Sequence, residues 1–144
     1  MILVSACLAG IPCRYDGGSN LVPEIRQLVA EGKAVTVCPE VLGGLPTPRI
    51  PSERRGDKVI NKAGEDVTEA FLSGAEKAFE IAREHDCKTA VLKARSPSCG
   101  HGCIYNGSFN GTLVQGNGVA AQMLLKNGIR VQTEEEFLSG KTIE

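Results

Sequence analysis

A chain of 144 residues with 42% hydrophobic and 23% charged residues has room for one domain rather than two, and the make-up of an ordinary globular protein. Its formal net charge of −1 gives no electrostatic reason to recruit nucleic acid or an anionic membrane. The first apolar stretch, residues 2–9, is too short for a membrane span and follows no basic residues, so no signal peptide is expected and the chain reads as cytoplasmic.

In chain order, Ile2-Leu3-Val4-Ser5-Ala6-Cys7 has the pattern of a buried strand ended by Gly10 and Pro12. Residues 12–20, with Gly17 and Gly18, read as a loop. Pro23 suits a first helical position, Ile25, Leu28 and Val29 recur at helical spacing, and Gly32 supplies a stop. Residues 33–38 form a second strand cut off by Pro39. A strand–helix–strand unit of this length predicts a parallel pair.

Residues 43–51 are rich in proline and glycine and read as irregular. Residues 57–66 predict a small hairpin with Ala63-Gly64 near its turn. A long helix follows, with Thr68 as N-cap and an apolar face of Phe71, Leu72, Ala75, Ala78, Phe79 and Ala82. Residues 89–93 are a third strand. The glycine-rich stretch 100–118, carrying Ile104, Tyr105, Phe109, Leu113 and Val114, reads as a loop with a β-hairpin. A helix over 119–126 stops at Asn127-Gly128, a fourth strand occupies 129–132, and Thr133 caps a last short helix. The expected fold is a single α/β domain over residues 1–144: a mainly parallel, Rossmann-like sheet with helices on both faces and a small β-hairpin insertion.

Six cysteines in a chain read as cytoplasmic point to metal binding or redox chemistry, because structural disulfides do not persist there. Ligands of parallel sheets bind beyond the carboxyl ends of the strands. Cys7, Cys38 and Cys99 fall at or just past three such ends, each followed by a breaker. Three thiols on one rim suit zinc with an open position, or a cuboidal iron–sulfur cluster with one iron free of protein ligand. Spacing favours neither. Cys99, His101 and Cys103 would make a local zinc clip, Cys13 is within loop reach of the rim, and Cys87, between a helix and a strand, reads as structural.

Glu40, two residues after Cys38, brings a carboxylate to the same rim, where it would serve as a general acid/base. Ser96 and Ser98 flank Pro97 in a stiff loop before Cys99, where they either form the turn or present hydroxyls to the site, Ser98 as a substrate contact. Arg14 and Asp16 lie on the adjacent loop, where they either shape that loop or contact substrate. Gly17-Gly18 is no phosphate loop, since it lacks the GK[ST] ending and opens no helix.

Taken together, Ser5-Ala6-Cys7-Leu8-Ala9-Gly10, Arg14-Tyr15-Asp16-Gly17-Gly18, Cys38-Pro39-Glu40, Gly43-Gly44-Leu45-Pro46-Thr47-Pro48-Arg49 and Ser96-Pro97-Ser98-Cys99-Gly100 resemble the family of bacterial domains of unknown function that includes the thiouracil desulfidases. The resemblance runs over residues 2–131. It implies a 4Fe–4S cluster held by cysteines mapping to Cys7, Cys38 and Cys99, an acid mapping to Glu40 and a serine mapping to Ser96. The activity implied is removal of sulfur from the thiocarbonyl of a small thiolated base or metabolite, with the open iron as Lewis acid. Cys13 and Cys103 depart from the family pattern, and a fourth ligand from either would close the open iron. The competing readings are a non-catalytic module in which zinc or a cluster is structural or redox-sensing, and a sulfur or cluster carrier. No nucleic-acid or membrane partner is expected.

Overall fold

The computed structural model describes residues 1–140. Ile2–Ser5 forms β1, and the chain then winds at once into a 3-10 turn, Ala6–Ala9, that ends on Gly10 with φ 94°. Cys7 therefore stands in that turn and does not close the strand, which ends two residues before it. α1 (Pro23–Ala30) starts with Pro23 at its first position. β2 (Ala34–Val37) leads to Cys38, the N-cap of α2 (Pro39–Leu42), a single helical turn where the sequence shows only a strand cut off by Pro39.

The first hairpin lies earlier than its sequence signal. β3 (Ser52–Arg55) and β4 (Lys58–Asn61) pair antiparallel around Gly56-Asp57. Ala63-Gly64 belongs instead to a second turn, in which Asn61 Oδ1 accepts the N–H groups of Ala63 and Glu65. β3 reads Ser-Glu-Arg-Arg, so no apolar alternation marked it as a strand. α3 (Thr68–Glu84) also starts differently: Thr68 is its first residue and not its cap. Asp66 Oδ1 takes the Thr68 N–H at 2.9 Å, which frees the Thr68 hydroxyl to accept the Val59 N–H and tie helix to β4.

The rest falls within a residue or two of expectation: β5 (Thr89–Leu92), β6 (Cys103–Tyr105), β7 (Leu113–Gln115), α4 (Val119–Lys126), β8 (Arg130–Thr133) and α5 (Glu134–Leu138). Thr133 caps α5 in a reciprocal box with Glu136.

The four parallel strands order as β2–β1–β5–β8. Successive side chains of β1 point to opposite faces, and each face meets helices. Leu3, Ala90 and Val131 pack with Ala78 and Ala82 of α3 and Leu124 of α4. Val4 and Val91 pack with Ile25 of α1 and Phe137 of α5. The chain leaves β1 for β2 on one side and later places β5 on the other. The crevice between β1 and β5 is thus the switch point where ligands of such sheets bind.

Two close approaches fix the elements around that crevice. α2 presses backbone to backbone on α3: a Cβ on Gly74 would lie 1.8 Å from the Pro39 carbonyl oxygen, and one on Gly43 2.0 Å from that of Ala70. The two hairpins are joined by consecutive residues of β3. Glu53 Oε1 accepts the N–H groups of Gly107 and Phe109, Arg54 donates to the Asn117 carbonyl and Arg55 to that of Gly107.

Candidate active site

A cavity of about 660 Å³ opens over the carboxyl ends of β1, β2 and β5. Cys7, Cys38 and Cys99, from the three segments that follow those strands, all line it, and Cys13 joins them from the loop after β1. Cys87 is buried in the core beneath α3 and α4, as its place between helix and strand predicts. The clip of Cys99, His101 and Cys103 does not form. His101 turns its Nδ1 to Glu136 at 3.5 Å, and Cys103 sits on β6 outside the cavity lining.

The thiols differ in their electrostatics. Cys99 is buried, and desolvation pushes its pKa up to about 12 against a hydrogen bond from Ser5 that favours the thiolate. Burial likewise raises Cys7, although Asn20 donates to its sulfur at 3.4 Å. Cys13 and Cys38 shift one another in opposite directions. Cys38 is pulled down chiefly by its hydrogen bond with Cys13, assisted by the Val41 N–H in the first turn of α2, while the same contact pushes Cys13 up.

Glu40, 15% exposed, is gripped at both oxygens. Arg49 Nε donates to Oε1 at 2.9 Å and the Ser98 hydroxyl donates to Oε2 at 3.0 Å. Ser98 has a single proton, so in the 3.0 Å contact between the two serine hydroxyls Ser96 is the donor. The order Ser96, Ser98, Glu40 is a directed chain of hydroxyls ending on a carboxylate. Ser96 Oγ in turn accepts the N–H groups of Ser98 and Cys99, which fixes the loop that carries the thiol.

Arg14 lines the cavity and reaches Cys7 through an intermediary: it donates to Asn20 Oδ1 at 2.9 Å, and Asn20 donates to the sulfur. Asp16 lies outside the lining, where it pairs with Arg14 and accepts the Gly18 N–H within its own loop. Tyr15, Tyr105 and Phe109 supply apolar wall in a chain that is only 4% aromatic.

Several members of the site carried no usable sequence signal. Residues 96–100 are fastened to the start of α4, whose first N–H groups, at Val119 and Ala120, donate to the Pro97 and Ser98 carbonyls. A Cβ on Gly118 would come within 2.4 Å of that loop's backbone. Three consecutive glutamates of α5 each hold a side chain flanking the segment: Glu134 pairs with Lys93, Glu135 with Arg95, and Glu136 faces the His101 ring at 3.5 Å. Glu134 also accepts the Ala94 N–H at 2.7 Å. Arg49 is a further member of the site, from the Gly43–Arg49 motif. Only its place after Thr-Pro in a rim loop could have pointed to it.

The donor set fits a multinuclear centre. Cys7 and Cys99 are held by burial in the neutral form, and a cationic metal centre against them supplies the charge that thiolates need. Among the described residues, no three His, Cys, Asp or Glu side chains gather tightly enough for a single metal ion. A cuboidal cluster places each thiolate on a different iron, so its ligands stand around it at wider spacing.

Residues 2–136 match the 2-thiouracil desulfurase family. A Bacillus subtilis protein named YbbK, whose function is uncharacterised, is 47% identical over 95% of this chain and 97% of its own length. The solved structure of a 4Fe–4S-dependent thiouracil desulfidase, TudS, superimposes with a TM-score of 0.90 at 46% identity, over 96% of this chain and 93% of that one.

Proposed function

The chain belongs to the 2-thiouracil desulfurase family, and from that membership we propose that it is a 4Fe–4S-dependent desulfidase that exchanges the sulfur of a small thiocarbonyl compound for oxygen from water. The observation that carries this reading is the joining of three thiols from three strand ends with a half-buried, doubly held carboxylate in one cavity. A purely structural metal site has no use for a carboxylate fixed in that way.

Cys7, Cys38 and Cys99 hold the cluster. When bound, it supplies an iron without a protein ligand that acts as a Lewis acid toward the thiocarbonyl sulfur, with no net redox change. Glu40 takes a proton from water so that the oxygen attacks the ring carbon, and the carbon–sulfur bond breaks with sulfur leaving as sulfide. Ser98 keeps the carboxylate aimed, and Ser96 behind it supplies a hydroxyl proton to the chain. Arg14 and Lys93, on the cavity wall, offset negative charge that develops on substrate and thiolates.

The test is anaerobic reconstitution followed by turnover of a thiopyrimidine. Glu40→Gln should keep the iron and sulfide content and the visible spectrum of the parent while activity falls by about 10² to 10⁴. Ser96→Ala should cost about tenfold, the worth of one neutral hydrogen bond. Loss of the cluster in Glu40→Gln would make the acid a support of the metal site. A parent protein that binds the cluster but releases no sulfide from any thiolated base would instead be a carrier or sensor.

A further inference from the structure

Arg49 lies at the foot of the cavity with its side chain only 6% exposed. Every nitrogen of its guanidinium is engaged. Nε donates to Glu40 Oε1 at 2.9 Å, Nη2 to the Cys13 carbonyl at 2.8 Å, and Nη1 to the Pro46 carbonyl at 3.2 Å and the Thr47 hydroxyl at 3.1 Å. Its backbone N–H donates to the Tyr15 carbonyl at 2.7 Å. One planar group thus joins the proposed acid, the loop bearing Cys13 and the loop in which it stands.

We infer that Arg49 is a positioning residue for the proposed desulfidase reaction: it sets the direction of the Glu40 carboxylate and holds the 13–15 loop against it. The inference rests on the desulfidase reading and adds to it a residue that acts through Glu40. Glu40 needs such a guide because α2 is a single turn, which fixes the backbone of its residues but leaves their side chains free to rotate. Ser98 restrains one oxygen only; Arg49, gripping the other, removes the remaining rotation. The fork of a guanidinium spreads its donors over three nitrogens in set directions, whereas the donors of lysine all radiate from one nitrogen on a flexible stem and do not reproduce that spread toward Glu40 and the Cys13 carbonyl. Four of the five N–H donors of Arg49 are occupied within the protein and its side chain is 6% exposed, so the group is committed to the protein rather than to substrate.

The experiment compares reconstituted parent, Arg49→Lys and Arg49→Ala proteins on a thiopyrimidine, with iron and sulfide content measured beside kcat and KM. Both variants should keep the parent's cluster content, with KM within about threefold. The kcat of Arg49→Ala should fall by about 10²-fold, as a misplacement near 1 Å does, with a smaller loss in Arg49→Lys. Millimolar guanidinium, far below denaturing concentration, should restore part of the kcat of Arg49→Ala and none of Arg49→Lys. A raised KM with unchanged kcat would make Arg49 a substrate contact and overturn the inference, as would loss of cluster from both variants or parental kinetics in both. If the parent itself proves inactive, the desulfidase reading fails on its own. The crystal structure of reconstituted Arg49→Ala then decides the positioning role, and an undisplaced Glu40 carboxylate overturns it.

Discussion

On the β2 side of the cavity, Cys38 and Glu40 stand on a single helical turn packed backbone to backbone on α3, with Arg49 reaching in from a neighbouring loop. On the β5 side, Ser96, Ser98 and Cys99 stand on an irregular loop fastened to the start of α4 and, through its flanks, to the glutamates of α5. The first wall is ordered by two glycines that allow contact and by one arginine. The second is ordered by elements that follow it in sequence and share no motif with it. The two walls meet at one hydrogen bond between side chains of the proposed machinery, from Ser98 to Glu40 at 3.0 Å. Catalytic groups can therefore be set by unrelated supports, provided each support is rigid and the groups touch across the gap.

The largest effect expected is on the thiols, which come from both walls. Cys7→Ser, Cys38→Ser and Cys99→Ser should each abolish iron and acid-labile sulfide in anaerobically reconstituted protein, whereas Cys87→Ser and Cys103→Ser should retain both. If Cys13→Ser removes iron as completely as Cys99→Ser, the centre draws on a fourth thiol and is weighted toward the β2 wall.

Next come the close approaches. Glycine to alanine inside a helix ordinarily gains about 1 kcal/mol. At Gly74 the added methyl would lie 1.8 Å from a backbone oxygen, so the overlap wins and stability should fall by at least the roughly 1–3 kcal/mol typical of overpacking. Gly118→Ala should cost a similar amount through the β5 wall, where the overlap is again with backbone. Denaturant midpoints of the two metal-free variants measure both. A neutral result at either position would show that wall to be compliant.

The finest distinction lies in thiol reactivity. The thiolate is the nucleophile, so a lowered pKa raises its share at neutral pH and a raised pKa removes it. In metal-free protein at pH 7, limiting iodoacetamide should modify Cys38 before Cys7. Of these three thiols Cys99, buried and pushed up to about 12, should be modified last. Peptide mass analysis gives the order, and early labelling of Cys99 would show that the β5 wall opens when no metal is bound.

The sequence determined much of this protein by itself. Short aliphatic runs ended by Gly10, Pro39 and Gly100 mark parallel strands and bring Cys7, Cys38 and Cys99 to one rim, because strand ends of a parallel sheet face one side whatever lies between them. Glu40 was legible for the same reason, standing two residues from a thiol at a forced turn. The hairpin of Ser52–Arg55 was not, since its pairing depends on Glu53, Arg54 and Arg55 meeting residues 107–117 and not on any apolar alternation. Tertiary structure alone decided the rest. It put Ser98 directly on Glu40 with Ser96 behind it, turned His101 to Glu136 and away from any metal clip, and left Asp16 outside the cavity. It also aimed Arg49 at a carboxylate nine residues away and made α5 a brace for a loop some 40 residues earlier. Periodicity reports which way a segment faces. The partners of a polar side chain are set by which segments fold against it, and that information is spread along the whole chain.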